Sequence, residues 1–151
     1  MIEQKLKDLG YSLPEPAKPL AAYIPAIKID KIVYTAGQLP SVNGQLMYTG
    51  KVGFNVSEDD GQKAAVLSLL NCLAVIKSVC GDLEQIEQVV KLTAFVNSAD
   101  GFINQPKVAN GASELLLKIF GEKGKHVRSA VGVNELPLDA ALEIEMIVKL
   151  K

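Results

Sequence analysis

Apolar and polar residues alternate along this chain in two distinct rhythms, and the changes of rhythm mark its elements. Ile2 to Leu9 has the spacing of a short amphipathic helix that ends at Gly10. Tyr11 to Pro19 carries three prolines and reads as extended connection. Leu20 to Ile29 and Lys31 to Ala36 are strand candidates that turn at Asp30. Between Pro40 and Val56 turn residues dominate. Asn43-Gly44 is a strong hairpin signal there, with a short strand predicted at Gln45 to Tyr48. Ser57 is a good N-cap, because Glu58, Asp59 and Asp60 follow it into the positive end of a helix.

That helix is predicted to run to Val79 and to stop near Gly81. Its nearly unbroken apolar run from Ala64 implies that other protein covers most of its circumference. Ile86 to Val96 is rich in β-branched residues and reads as a buried strand. Ile103 to Phe120 is a second helix, with Leu115, Leu116, Ile119 and Phe120 at core spacing and Gly121 as its stop. Arg128 to Asn134 and Ala140 to Lys151 are the last two strands. The order β-β-(β)-α-β-α-β-β predicts an α+β fold: a single mixed sheet with two long helices on one face. The 151 residues fit one domain, 1–151.

Charge narrows the possible partners. A formal net charge of −1 argues against a broad nucleic-acid footprint, so no nucleic acid is expected as a partner. Lys118, Lys123 and Lys125 near Arg128 read as a solvated helix end and loop. No run reaches the roughly 18 consecutive apolar residues of a membrane span. The first seven residues lack a signal-peptide core, so the expected compartment is the cytoplasm and no membrane contact is expected. Cys72 and Cys80 lie about 12 Å apart along one helix, too far for a disulfide, and read as packing residues.

The chemistry concentrates near the end of the chain, where each strand carries charge that a half-buried strand would not need. Arg128 opens one, and Glu143 and Glu145 interrupt the other. An arginine fork suits a small carboxylate, and a nearby carboxylate can orient water. Were the two strands antiparallel neighbours across the 135–140 connection, Glu143 and Glu145 would share the side of Arg128. His126, the only histidine, has no second histidine or cysteine near it in sequence, so neither a zinc site nor a Cys-His pair is expected. No metal and no cofactor are expected. The segment from Gly121 to His126 lacks the full spacing of a phosphate loop.

The pairing of Arg128 with Glu143, fifteen positions on, resembles the C-terminal signature of the Rid (YjgF) family of enamine/imine deaminases. Tyr34-Thr35-Ala36-Gly37-Gln38-Leu39-Pro40 is similar to the family's Thr-Ser-Gly-Gln-hydrophobic-Pro segment. Tyr23, thirteen residues before Ala36, matches the family's substrate-pocket tyrosine. Asn110 matches its mid-helix asparagine, with one extra residue before Arg128. The resemblance implies a chorismate-mutase-like fold, a homotrimer and pockets between subunits.

It implies Arg128 and Glu143 as catalytic residues, and a substrate site formed by Tyr23, Ala36, Gly37, Asn110, Arg128 and Ala130. Two of these depart from the pattern: Ala36 stands where the family has serine, and Ala130 where it often has cysteine. The activity implied is hydrolysis of small 2-imino or 2-enamino acids to 2-oxo acids and ammonia. The two alanines leave open a non-catalytic module that binds or senses small carboxylates. RNA cleavage or translation inhibition, attached to some family members, fits the acidic charge least.

Overall fold

The computed structural model describes residues 1–16, 18 and 22–151. Its elements are α1 (Ile2–Asp8), β1 (Ala26–Ile29), β2 (Ile32–Thr35), β3 (Ser41–Val42), β4 (Gln45–Leu46), α2 (Glu58–Cys80), β5 (Ile86–Asn97), α3 (Gln105–Phe120), β6 (Val127–Val133) and β7 (Leu142–Leu150). The start of the first predicted strand lies partly outside the described residues; its described part begins at Ala26.

Local chemistry sets the boundaries. Ser57 Oγ accepts the Asp60 N–H at 3.1 Å and caps α2. Asn43 and Gly44, at φ 52° and 78°, make the hairpin turn between β3 and β4. These two strands form a small separate ribbon beside the main sheet.

The main sheet has the order β1-β2-β7-β5-β6 and is mixed, with β6 parallel to β5 and the other pairs antiparallel. Both long helices pack on one face. Leu92, Ala94 and Val96 of β5 and Leu142, Ile144, Met146 and Val148 of β7 are fully or almost fully buried beneath them. α2 is long and apolar enough to pass for a membrane span, but it is the core helix. Its residues from Ser68 to Ile76 are buried inside the fold. α2 and α3 approach closely at Gly111, where a Cβ would stand 2.3 Å from the Gln62 carbonyl oxygen.

The two C-terminal strands are not neighbours. Strand β5 lies between them, and the connection steps over its end. Asn97, the last residue of β5, holds that connection. Its amide donates to the Gly50 carbonyl, Asp139 Oδ1 and the Ala140 carbonyl, each at 3.1 Å. Eight residues suffice to cross one strand, since two inter-strand steps cover only about 10 Å.

The expected sharing of one side by Arg128 and Glu143 therefore fails. Leu92 pairs with both Arg128 and Met146, so Arg128 lies on the helix side with Met146 and Ile144. Glu143 and Glu145, at alternate positions, project from the open face. Ile27, Ile29, Tyr34, Val127 and Val131 also leave that face apolar and exposed. Leu92, Ala94, Ile144 and Met146, by contrast, are covered by the chain's own helices.

Candidate active site

The predicted residues fall into two groups. The first lies where β6, an edge strand, meets α3. Arg128 Nη1 donates to Asn110 Oδ1 at 2.9 Å and to Ser113 Oγ at 3.1 Å, and Nη2 donates to the Pro106 carbonyl at 3.3 Å. No carboxylate lies within 4.0 Å of the guanidinium among the described residues. A guanidinium has five N–H donors. Three are engaged, all by neutral acceptors. The Nε hydrogen and one on Nη2 find no partner among the described residues, enough for one bidentate carboxylate. Ala130 lies on the same side of β6, half-buried against the core.

The second group lies on the other side of the molecule's sheet, where the segment after β2 crosses β7. Gln38 and Ile144 exchange backbone hydrogen bonds of 2.7 and 3.0 Å, and this fixes Gly37 against Glu143. A Cβ on Gly37 would stand 2.4 Å from Glu143 Oε1, so only glycine leaves the carboxylate its place. The Ala36 N–H is engaged by the Pro25 carbonyl at 2.8 Å, whereas that of Gly37 makes no backbone hydrogen bond among the described residues. Tyr23, Gly37, Gln38 and Ser41 help to line a small cavity of about 150 Å³. Larger grooves beside α1 contain none of the predicted residues.

Burial and the neighbouring Glu145 raise the pKa of Glu143 above the ordinary 4.5. Cys72, buried on α2, has its thiol pushed up to about 12, chiefly by burial, and is a packing residue. No cluster of three or more His, Cys, Asp and Glu groups suited to a metal occurs among the described residues.

The chain matches, over residues 3–150, the family described as "YjgF/chorismate mutase-like, putative endoribonuclease". It belongs to that family. Protein TCP17 of Trypanosoma cruzi is 39% identical over 99% of this chain and 94% of its own length. The 2-iminobutanoate/2-iminopropanoate deaminase of Dermatophagoides farinae is 30% identical, covering 91% of this chain and 92% of its own. A crystal structure of an Agrobacterium tumefaciens protein of unknown function superposes with a TM-score of 0.93, at 42% identity. That match covers 99% of this chain and 92% of the other. The YjgF fold predicted from the C-terminal signature is thus the observed one.

Within this YjgF-family chain, sequence reasoning missed Ser113 and the part played by His126. Ser113 Oγ lies 2.9 Å from His126 Nε2, and His126 Nδ1 lies 2.6 Å from the Gly124 carbonyl oxygen. A signal was present for each. Ser113 follows Asn110 by one helical turn, and His126 precedes Arg128 by the two residues of one strand period.

Proposed function

We propose that this protein is a cytoplasmic hydrolytic deaminase of small 2-imino and 2-enamino acids, assembled as a homotrimer with sites between subunits. The observation that carries this reading is Arg128: a half-buried guanidinium held by neutral acceptors, with two N–H groups left for one carboxylate. The deaminase name of the Dermatophagoides relative supports the reaction class.

Arg128 grips the substrate carboxylate and fixes C2 of the C=N group. Glu143 orients a water whose oxygen attacks C2, and accepts its proton. Its raised pKa favours handing that proton on to nitrogen. The remaining hydroxyl proton of the resulting carbinolamine passes to the same nitrogen as the C–N bond breaks, releasing ammonia and leaving the 2-oxo acid. Orientation supplies most of the catalysis, because two reactants and one base are held together. Asn110 steadies Arg128, and Ala130 leaves room beside it on β6. Tyr23 walls the site, while the Gly37 N–H supplies polar contact where Ala36 lacks the serine hydroxyl.

Arg128 and Glu143 sit on opposite faces of one sheet, so the reading requires a second copy to bring Tyr23, Gly37 and Glu143 to Arg128. The exposed Ile27, Tyr34, Val127 and Val131 give that copy an apolar surface to cover. The same separation favours a second reading, a binding module for small carboxylates without turnover. Ammonia release from imino acids generated in situ by an amino-acid oxidase tests the first reading. Wild type must exceed both the spontaneous rate and Arg128→Ala; equal rates would reject it. Stabilisation by 2-oxo acids that depends on Arg128, without turnover, would select the second.

A further inference from the structure

Arg128 is the end of a longer hydrogen-bonded chain whose other members lie outside the family's signature. Its order is Arg128 Nη1, Ser113 Oγ, His126 Nε2, His126 Nδ1, Gly124 carbonyl, with distances of 3.1, 2.9 and 2.6 Å between successive residues. The direction of every bond follows from one fact: a carbonyl oxygen only accepts. Nδ1 must therefore carry the proton, and in the neutral ring Nε2 is left as an acceptor. The Ser113 hydroxyl donates to Nε2, which turns its lone pairs toward Arg128. Gly124 is itself fixed, because a Cβ there would stand 2.4 Å from the Leu116 carbonyl oxygen of α3. Both ends of the chain are thus anchored on one helix.

We infer that Ser113 and His126 are positioning residues, which aim the guanidinium of Arg128 by presenting it with an oriented acceptor. The role rests on Arg128 being the carboxylate anchor, as proposed above. Asn110 holds one Nη1 hydrogen and Ser113 the other, and the longer bond to the Pro106 carbonyl holds Nη2, so Ser113 supplies one of three points that stop the guanidinium plane swivelling about the Asn110 bond. With Ser113 held by His126, the unengaged Nε and Nη2 hydrogens face a constant direction. Without it, the arginine keeps its charge but is aimed less tightly, by Asn110 and the Pro106 carbonyl alone. No carboxylate lies within 4.0 Å of Arg128 or His126 among the described residues, and the nearby Glu122 is paired with Lys125 at 2.8 Å.

The test joins a ligand-free measurement to a ligand-dependent one. His126 is the only histidine, so its two ring-nitrogen NMR signals are assigned without ambiguity. The neutral ring should be protonated at Nδ1, and Ser113→Ala should shift the Nε2 signal as its donor is lost. Calorimetry then compares 2-oxobutanoate with its uncharged amide. Ser113→Ala should weaken the acid by about three- to tenfold, the loss of one hydrogen bond to the anchor, and leave the amide unchanged. Ser113→Thr and His126→Gln, which keep a hydroxyl and an acceptor, should recover most of the acid's affinity. Alanine favours helix, so Ser113→Ala will fold.

An Nε2-protonated neutral ring would overturn the inference. So would equal weakening of acid and amide, or an unchanged acid affinity in Ser113→Ala where wild type binds. A wild type that shows the expected ring signals and their response to Ser113→Ala, but binds no 2-oxo acid, would uphold the chain of bonds and reject the carboxylate site.

Discussion

Gly37 and Glu143 fit one another: the missing side chain of the first is the space occupied by the carboxylate of the second. A Cβ at position 37 would meet Oε1 at 2.4 Å and Cδ at 2.7 Å. Gly37 does not need glycine for its backbone angle, since it is absent from the residues with positive φ. Gly37→Ala should therefore fold normally and push only the end of a flexible side chain. The predicted result is a kcat lowered about 10- to 100-fold, the scale expected when a proton-handling group is displaced by an ångström or so. Thermal unfolding and steady-state kinetics on the same preparation separate this from general damage.

The pH dependence of Glu143 has a fixed sign. Its folded pKa is raised by burial and by Glu145, so ionisation opposes folding at this site. The favourable contribution of the protonated form is full below the unfolded carboxylate range and is lost as pH rises through the raised pKa. Glu143→Gln should thus be more stable than wild type at neutral pH and lose that advantage in acid, while losing turnover. Glu145→Gln should move the acid limb of the activity profile to lower pH, because it removes the like charge. Melting temperatures and kcat measured from pH 4 to 8 check both statements.

Much of this architecture was legible in the residues. Ser57, Gly81 and Gly121 bounded the helices as cap and stop signals do, and Asn43-Gly44 placed the hairpin. The order of strands in the sheet was not legible. Alternation reports which face a residue takes within its own strand but carries nothing about which strand lies beside it. The 135–140 connection reads as a short link between neighbours, and only the pairing of β5 with both β6 and β7 reveals that it crosses β5, where the amide of Asn97 holds it. The site shows the same division. The Arg128–Asn110 hydrogen bond joins two residues that the motifs name separately, whereas the separation of Arg128 from Glu143 depended on strand order.

Replacing Arg128 separates charge from geometry. Arg128→Lys keeps a cation but cannot span Asn110 and Ser113 while gripping a carboxylate with two parallel bonds. It should therefore bind 2-oxo acids little better than Arg128→Ala, with each variant losing at least about tenfold in affinity. Stability should fall by only about 1–2 kcal/mol, since Asn110 and Ser113 are part-exposed and water can replace the lost donor. Calorimetry with denaturant unfolding reads both quantities.

Gly111 sets the spacing of the helix that carries Asn110 and Ser113. A Cβ there would meet the backbone carbonyl of Gln62 at 2.3 Å, and backbone cannot step aside as a side chain can. Gly111→Ala should cost about 1–3 kcal/mol, as overpacking of a tight contact does. It should also weaken 2-oxo acid binding, because α3 must shift under Arg128. A fully stable variant would show that the two helices approach less closely in solution.

The most direct test of the shared, arginine-anchored site is a crystal structure of the assembled protein soaked with a 2-oxo acid. The account predicts the carboxylate on the Nε–Nη2 edge of Arg128, with Tyr23, Gly37 and Glu143 of a second copy around the oxo group. A carboxylate bound away from Arg128, or bound there with no second copy nearby, would contradict it.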